Sequence, residues 1–218
     1  MSTMDYSKAR ELMVEQQVRP WDVLDLRVLE VMATLPREAF VPAAHRALAY
    51  GDLSLPLGHG EFTLKPVVEG RALQALLLEP GDDVLVLGDA SGYLTACAGR
   101  LAREVLAVER NEAFVQAARA ALAEQAVGNA QIVVADPLQW TTERRFSAIL
   151  VAGAVDTIPE RFVDWLQPGG RMFVVRGRSP AMEAVLVRND VNGSRIQSLF
   201  ETDLPYLAGA APAPTFQF

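Results

Sequence analysis

The chain has 218 residues, half of them hydrophobic, which suits one large domain (1–218) with its own core. Its 27 acidic residues outnumber the 20 lysines and arginines, for a formal net charge of −7. Such a chain repels phosphate backbones and anionic lipid, so nucleic acid and membranes are not expected as partners. Cys97 is the one cysteine, no apolar run reaches the roughly 20 residues of a bilayer span, and the N-terminus lacks the pattern of a secretory signal. A cytoplasmic setting is therefore expected. His45 and His59, the only histidines, have no partner at metal-ligand spacing, so no metal is expected.

Residues 1–80 read as helices and loops. Lys8 to Val18 has helical spacing, with Leu12, Met13 and Gln16 on one side, and Pro20 stops it. Asp25 caps a second helix carrying Val28, Leu29 and Met32, which Pro36 ends. Pro42 starts a short turn through Leu48, and the Gly- and Pro-rich stretch 51–65 reads as an ordered loop or edge strand. Pro66 suits the first turn of a helix with Val68, Ala72, Ala75 and Leu76 on its apolar face.

Residues 81–218 change character. Val84–Leu87, Val105–Val108, Ile132–Ala135, Ala148–Val151 and Met172–Val175 are apolar runs of the kind buried on both faces of a parallel sheet. Helices after Gly92, over 112–125 (capped by Asn111) and over 160–166 alternate with them, which implies right-handed crossovers. Ala184–Val187 and Ile196–Leu204 then read as a hairpin turning at Asn192-Gly193, and the Ala/Pro-rich tail from Ala208 reads as loosely packed.

Gly88-Asp89-Ala90-Ser91-Gly92 follows the first buried strand and opens a helix, where backbone can approach a ligand and helix N–H groups face it. A dinucleotide fingerprint needs Gly at 88, 90 and 93; Ala90 and Tyr93 break it. Glu109 ends the second strand, 17 residues beyond Gly92, where an acid can accept both ribose hydroxyls of a nucleoside. Asp136 ends the third strand and can face an adenine amino group. All lie at the switch point of an open α/β sheet. With the terminal hairpin, they resemble the class I methyltransferases, which use S-adenosylmethionine.

Met13–Arg19, Val28–Met32, Pro36–Pro42, Ala49–Asp52, Leu55–Gly60, Ser91-Gly92-Tyr93, Val108-Glu109 and Pro168–Arg171 further resemble the protein-L-isoaspartate O-methyltransferase family, in order, from about residue 8 to about residue 178. The resemblance implies a doubly wound, mainly parallel seven-stranded sheet with a helical N-terminal extension. It implies S-adenosylmethionine as cofactor, held by Gly88, Asp89, Ser91, Gly92, Glu109 and Asp136. It also implies damaged proteins or peptides with isoaspartyl residues as substrates, methylated on the α-carboxylate so that the ester can close to a succinimide. The carboxylate nucleophile is ionised at pH 7, with a pKa of roughly 4, and the sulfonium is a built-in leaving group, so alignment and electrostatics carry the step.

The family pattern also places departures. Its active-site serine falls on Leu64, which has no hydroxyl; Thr63, one residue away, is the candidate catalytic hydroxyl, and Lys65 reads as a solvated lysine. In an extended segment Thr63 and Leu64 would point to opposite faces. The strand acid of the family falls on Val86, its Gly-x-Gly on Gly88-Asp89-Ala90 and its Gly-Asp-Gly on Ala135-Asp136-Pro137, with Asp89 a candidate to replace the missing charge. A methyltransferase retargeted to another substrate and a catalytically silent binding protein are the alternatives these changes raise.

Overall fold

The computed structural model describes residues 5–191 and 193–213. Asp5 caps α1 (Tyr6–Met13) by accepting the Lys8 N–H at 3.1 Å. The predicted helix through Val18 continues as a wider π-type turn (Val14–Val18) and a 3₁₀ turn (Arg19–Trp21). Its buried face is Met13, Val14 and Val18, whereas Leu12 is 39% exposed, so the predicted apolar side is rotated. Asp25 caps α2 (Leu26–Thr34) through the Arg27 N–H, as expected. Two 3₁₀ turns follow (Arg37–Phe40, Ala43–Leu48). The Gly/Pro-rich stretch then forms a small antiparallel hairpin, β1 (Pro56–Gly58) and β2 (Glu61–Phe62). α3 (Pro66–Leu76) begins at its proline and buries Val68, Ala72 and Leu76.

The apolar runs become β3 (Asp83–Leu87), β4 (Glu104–Glu109), β5 (Ala130–Val134), β6 (Phe146–Val155) and β7 (Leu166–Arg178), with α4 (Tyr93–Leu101), α5 (Glu112–Glu124) and α6 (Glu160–Asp164) between them. β8 (Ala181–Asp190) and β9 (Gly193–Thr202) complete a seven-stranded sheet of order β5-β4-β3-β6-β7-β8-β9, parallel as far as β7 and antiparallel beyond it. Of the predicted turn pair, Gly193 opens β9, while Asn192 lies outside the described residues. α6 is shorter than predicted because Leu166 already pairs with Phe146, so Pro168-Gly169-Gly170 falls within β7. One core, built on Val84, Val86 and Phe173, holds the sheet against α2 to α5; the other, built on Leu85, Leu87, Ile149 and Val151, faces α6. No described helix is long and apolar enough to cross a membrane.

The predicted loose tail needs correction as far as Ala210; residues 214–218 lie outside the described ones. Tyr206 bridges to Ala154 in parallel, the Leu207 N–H donates to the Ala154 carbonyl at 2.8 Å, and the Asp156 N–H donates to the Ala210 carbonyl at 3.1 Å. Leu207 is buried against Leu87, Val108 and Val151 in the second core. The tail is held because β6 runs on to Val155, leaving backbone groups for it to pair with.

Arg171 in β7 locks the end of α3 to the sheet. Its guanidinium donates to both Asp82 oxygens (2.9 and 2.5 Å) and to the carbonyls of Leu76, Leu77 and Ser147. Burial pushes the Asp82 carboxyl up, but the Arg171 fork, the Glu79 N–H and Ser147 outweigh it and hold it at about 2. The native state thus binds this proton less tightly than the unfolded chain, whose aspartate titrates near 3.9. The contribution is complete above about pH 4 and is lost as pH falls through about 2; after solvent screening it is worth about 1–2 kcal/mol. Urea midpoints measured from pH 5 to pH 2 should show this loss, and Asp82→Asn should flatten it; an unchanged slope in the variant would dissociate the pair from acid stability.

Candidate functional site

Register brings the predicted site residues together. Leu87 pairs with Val108 on one side and Val151 on the other, and Glu109 pairs with Val134. The carboxyl ends of β3, β4, β5 and β6 therefore lie side by side, and Gly88–Gly92, Glu109 and Asp136 sit in or beside the loops that leave them. Gly88 has φ 75°, and its N–H donates to the Val108 carbonyl at 2.9 Å. A Cβ there would stand 2.1 Å from Leu207 Cδ1. Gly92 has φ 79°, and a Cβ there would stand 2.6 Å from the Ala118 Cβ. Glycine is required at both, once under the C-terminal tail and once where α4 meets α5.

Asp89 builds the start of α4. Its Oδ1 accepts the Ser91 hydroxyl (2.9 Å) and the Gly92 N–H (3.0 Å), and its Oδ2 accepts the Thr95 N–H (2.8 Å) and hydroxyl (2.9 Å). Ser91 Oγ in turn accepts the Tyr93 N–H at 3.1 Å. The expectation that the first N–H groups of α4 face a ligand is thus corrected for Gly92, Tyr93 and Thr95: the chain caps them itself. The N–H groups of Asp89 and Ser91 meet no chain acceptor among the described residues, so the loop keeps two donors.

Glu109 is buried, and its Oε1 accepts the Asn111 N–H at 2.8 Å. Burial raises its carboxyl above the ordinary glutamate range in spite of that bond, with Glu61 and Asp89 pushing the same way. A carboxylate has about four acceptor positions, so acceptor capacity remains for a diol. The Ala135 N–H donates to the Glu109 carbonyl at 3.0 Å, which sets Asp136 close by. Asp136 is half-buried; Oδ1 accepts the Leu138 N–H at 2.9 Å and its carbonyl accepts those of Gln139 and Trp140, so it also forms its own turn.

Thr63 is buried and tied to Leu55 twice: its N–H donates to the Leu55 carbonyl, and its Oγ1 accepts the Leu55 N–H, both at 2.9 Å. No acceptor among the described residues takes its hydroxyl proton. Thr63 borders a narrow cleft with Phe62, Leu64, Glu69, Gly88 and Asp89. Leu64 is buried beside it. β2 ends at Phe62, so Thr63 and Leu64 lie in irregular chain rather than in a strand, and both border the cleft. Lys65 is exposed at the cap of α3. His59, in the β1–β2 turn, lies edge-on to Phe114 at 5.7 Å, so the hairpin reaches across to the first turn of α5. Between them a cavity of about 280 Å³ opens, lined in part by Phe40, Pro42, Arg46, Leu57, Ser91 and Phe114.

The sequence matches the family profile described as protein-L-isoaspartate(D-aspartate) O-methyltransferase over residues 8–203. A protein-L-isoaspartate O-methyltransferase of Methylorubrum extorquens (strain PA1) is 39% identical over 173 residues, 79% of this chain and 76% of that one. Protein-L-isoaspartate O-methyltransferase 1 of Rhodopseudomonas palustris (strain HaA2) is 35% identical over 94% of this chain and 84% of its own. The chain belongs to the protein-L-isoaspartate O-methyltransferase family. The fold agrees: a Plasmodium falciparum protein assigned as a protein-L-isoaspartate O-methyltransferase, crystallised with S-adenosyl-L-homocysteine, superposes with a TM-score of 0.79 at 20% identity, over 94% of this chain and 99% of that one.

Within the protein-L-isoaspartate O-methyltransferase family pattern, this chain's departures have structural consequences. Val86, at the position of the strand acid, is wholly buried in the core, and Ala90 is buried within the loop. The residues nonetheless fit an adenosine-bearing cofactor: a buried acid with spare acceptor capacity at the β4 end, an acid after β5, and a loop keeping two N–H donors. Two further features were not legible. Arg37 and Glu69 form a buried ion pair under the cleft, and Leu207 stands over Gly88. An isolated Arg or Glu in sequence gives no sign of burial; the apolar Leu204-Pro205-Tyr206-Leu207 was the one available signal for the tail.

Proposed function

We propose that this chain transfers the methyl group of S-adenosylmethionine to the α-carboxylate of isoaspartyl residues in damaged proteins and peptides. The observation that carries the reading is the family match across residues 8–203, which spans both the cofactor loops and the 49–64 segment. When bound, S-adenosylmethionine supplies an electrophilic methyl on a sulfonium, so a substrate carboxylate oxygen forms the new bond as the carbon–sulfur bond breaks. No protein base is needed for an acceptor that is already ionised.

The chain's own residues supply position. Glu109 holds the ribose hydroxyls, Asp136 the adenine edge, and the loop Gly88–Gly92 the amino-acid end, with Asp89 acting through the loop it builds and the charge it keeps beside it. Thr63 takes the place of the family's serine by donating its free hydroxyl proton to the acceptor. Residues 1–80 and 81–218 act as one domain, the first bringing the 49–64 segment over the cofactor edge of the second. The acidic chain and single cysteine favour a cytoplasmic enzyme acting on proteins rather than on nucleic acid or membranes.

Labelled methyl transfer to an isoaspartyl peptide, and not to its aspartyl twin, tests the reading. Within it, Thr63→Ser should keep turnover near wild type. Thr63→Val should lower it at least tenfold and cost about 1–2 kcal/mol in stability, because the Leu55 N–H loses its acceptor. Turnover of Thr63→Val equal to wild type would remove Thr63 from the site.

A further inference from the structure

Arg37 grips both ends of one segment. Its Nη1 donates to the Ala49 carbonyl at 2.8 Å and its Nη2 to the Leu64 carbonyl at 2.7 Å, 15 residues further on. The same guanidinium makes a two-point pair with Glu69 in α3, Nε to Oε2 at 3.0 Å and Nη2 to Oε1 at 3.1 Å. Its underside lies over the Tyr93 ring, 5.5 Å from the centroid, at the start of α4. Arg37 and Glu69 are each 1% exposed. Only a planar fork with donors on three nitrogens can make these bonds from one side chain.

Other contacts hold single points of the segment. Arg10 and Gln17 donate to Tyr50, Asp52 accepts the Val67 N–H, and Thr63 pairs with Leu55. Among the described residues, Arg37 is the one side chain that hydrogen-bonds to the backbone at both ends. Between those ends lie the β1–β2 hairpin and Thr63, and Glu69 borders the same narrow cleft as Thr63, Gly88 and Asp89.

We propose that Arg37 is a positioning residue: its guanidinium closes the base of the 49–64 segment and fixes Thr63 and Leu64 over the cofactor loop, so that the hairpin beyond moves as a flap on a fixed hinge. The proposal rests on the methyl-transfer reading for its kinetic arm only. Arg37 touches no reacting atom; it acts through the backbone of the residues that border the cleft.

Arg37→Lys keeps the charge beside Glu69 but cannot span both carbonyls. Amide hydrogen exchange over 50–63 should accelerate at least tenfold, while β3 to β6 stay within twofold of wild type. The dissociation constant for S-adenosylhomocysteine should change less than threefold, and kcat for an isoaspartyl peptide should fall at least tenfold. The double variant Arg37→Met/Glu69→Leu removes both charges together, which core substitution tolerates better than a lone buried charge. It should show the same loop-confined exchange, and it serves if Arg37→Lys does not fold. Unchanged exchange over 50–63, or acceleration spread evenly through the sheet, would overturn the clamp. If the wild-type protein methylates no isoaspartyl peptide, the functional reading fails alone, since exchange and S-adenosylhomocysteine binding still test the clamp.

Discussion

Replacing Glu69 alone by leucine is expected to destabilise the protein by about 3–5 kcal/mol. The substitution leaves Arg37 1% exposed, with two carbonyls and an aromatic face as partners and no counter-charge. Burial disfavours the charged form of both members; at Arg37 the attraction and hydrogen bonds of Glu69 outweigh it and hold the guanidinium above its ordinary range, whereas at Glu69 burial outweighs Arg37 and raises the carboxyl. For a chain of this size 1 kcal/mol moves the thermal midpoint by about 2–4 °C, so a fall on the order of 10 °C should appear in a melting curve. The double variant Arg37→Met/Glu69→Leu should recover part of that loss, because an apolar pair of similar volume leaves no uncompensated charge. A shift below 1 kcal/mol in Glu69→Leu would mean that water reaches Arg37.

Glu109→Ala carries the second large effect, on binding rather than stability. The buried carboxylate at the end of β4 uses Oε1 for the Asn111 N–H and keeps further acceptor capacity. Losing charge-assisted hydrogen bonds to a ribose diol costs about 1.5–3 kcal/mol, which is about a ten- to 150-fold loss of affinity. Calorimetric titration with S-adenosylhomocysteine should show it, with at most about 1–2 kcal/mol lost in stability, since the half-buried Asn111 N–H loses its acceptor while the Asn111 side chain still caps α5 through the Ala113 N–H. In the wild type the affinity should weaken on acidification sooner than for an exposed glutamate, because burial holds this carboxyl above its ordinary range. Unchanged affinity in Glu109→Ala would move the ribose elsewhere.

The sheet was legible because four-residue apolar runs such as Val84–Leu87 and Ala148–Val151 have no alternative to burial, and register then follows from short crossovers. The caps Asp25 and Asn111 were legible because their side-chain chemistry is local, acting two residues away. Glu109 and Asp136 were placed by strand ends alone. What sequence hid is long-range. Arg37 meets Leu64 across 27 residues, and Gly88 meets Leu207 across more than a hundred. The position of Asp89 in a glycine turn gives no sign of Thr95 closing back on it. Met13 is buried as its spacing predicts, but Leu12 and Gln16 face outward and Val14 and Val18 join Met13, because the helix continues as a π-type turn with a different phase.

Methylation of isoaspartate by a chain with Leu64 in place of the family's serine is the result on which the proposed function stands. Its most direct test is label transfer from S-adenosylmethionine to an isoaspartyl peptide beside its aspartyl twin, with a family enzyme carrying the serine run in parallel. The expected result is base-labile label on the isoaspartyl peptide and none on the twin. No label on either peptide while the reference enzyme works, or equal label on both, would contradict isoaspartate methylation by this chain.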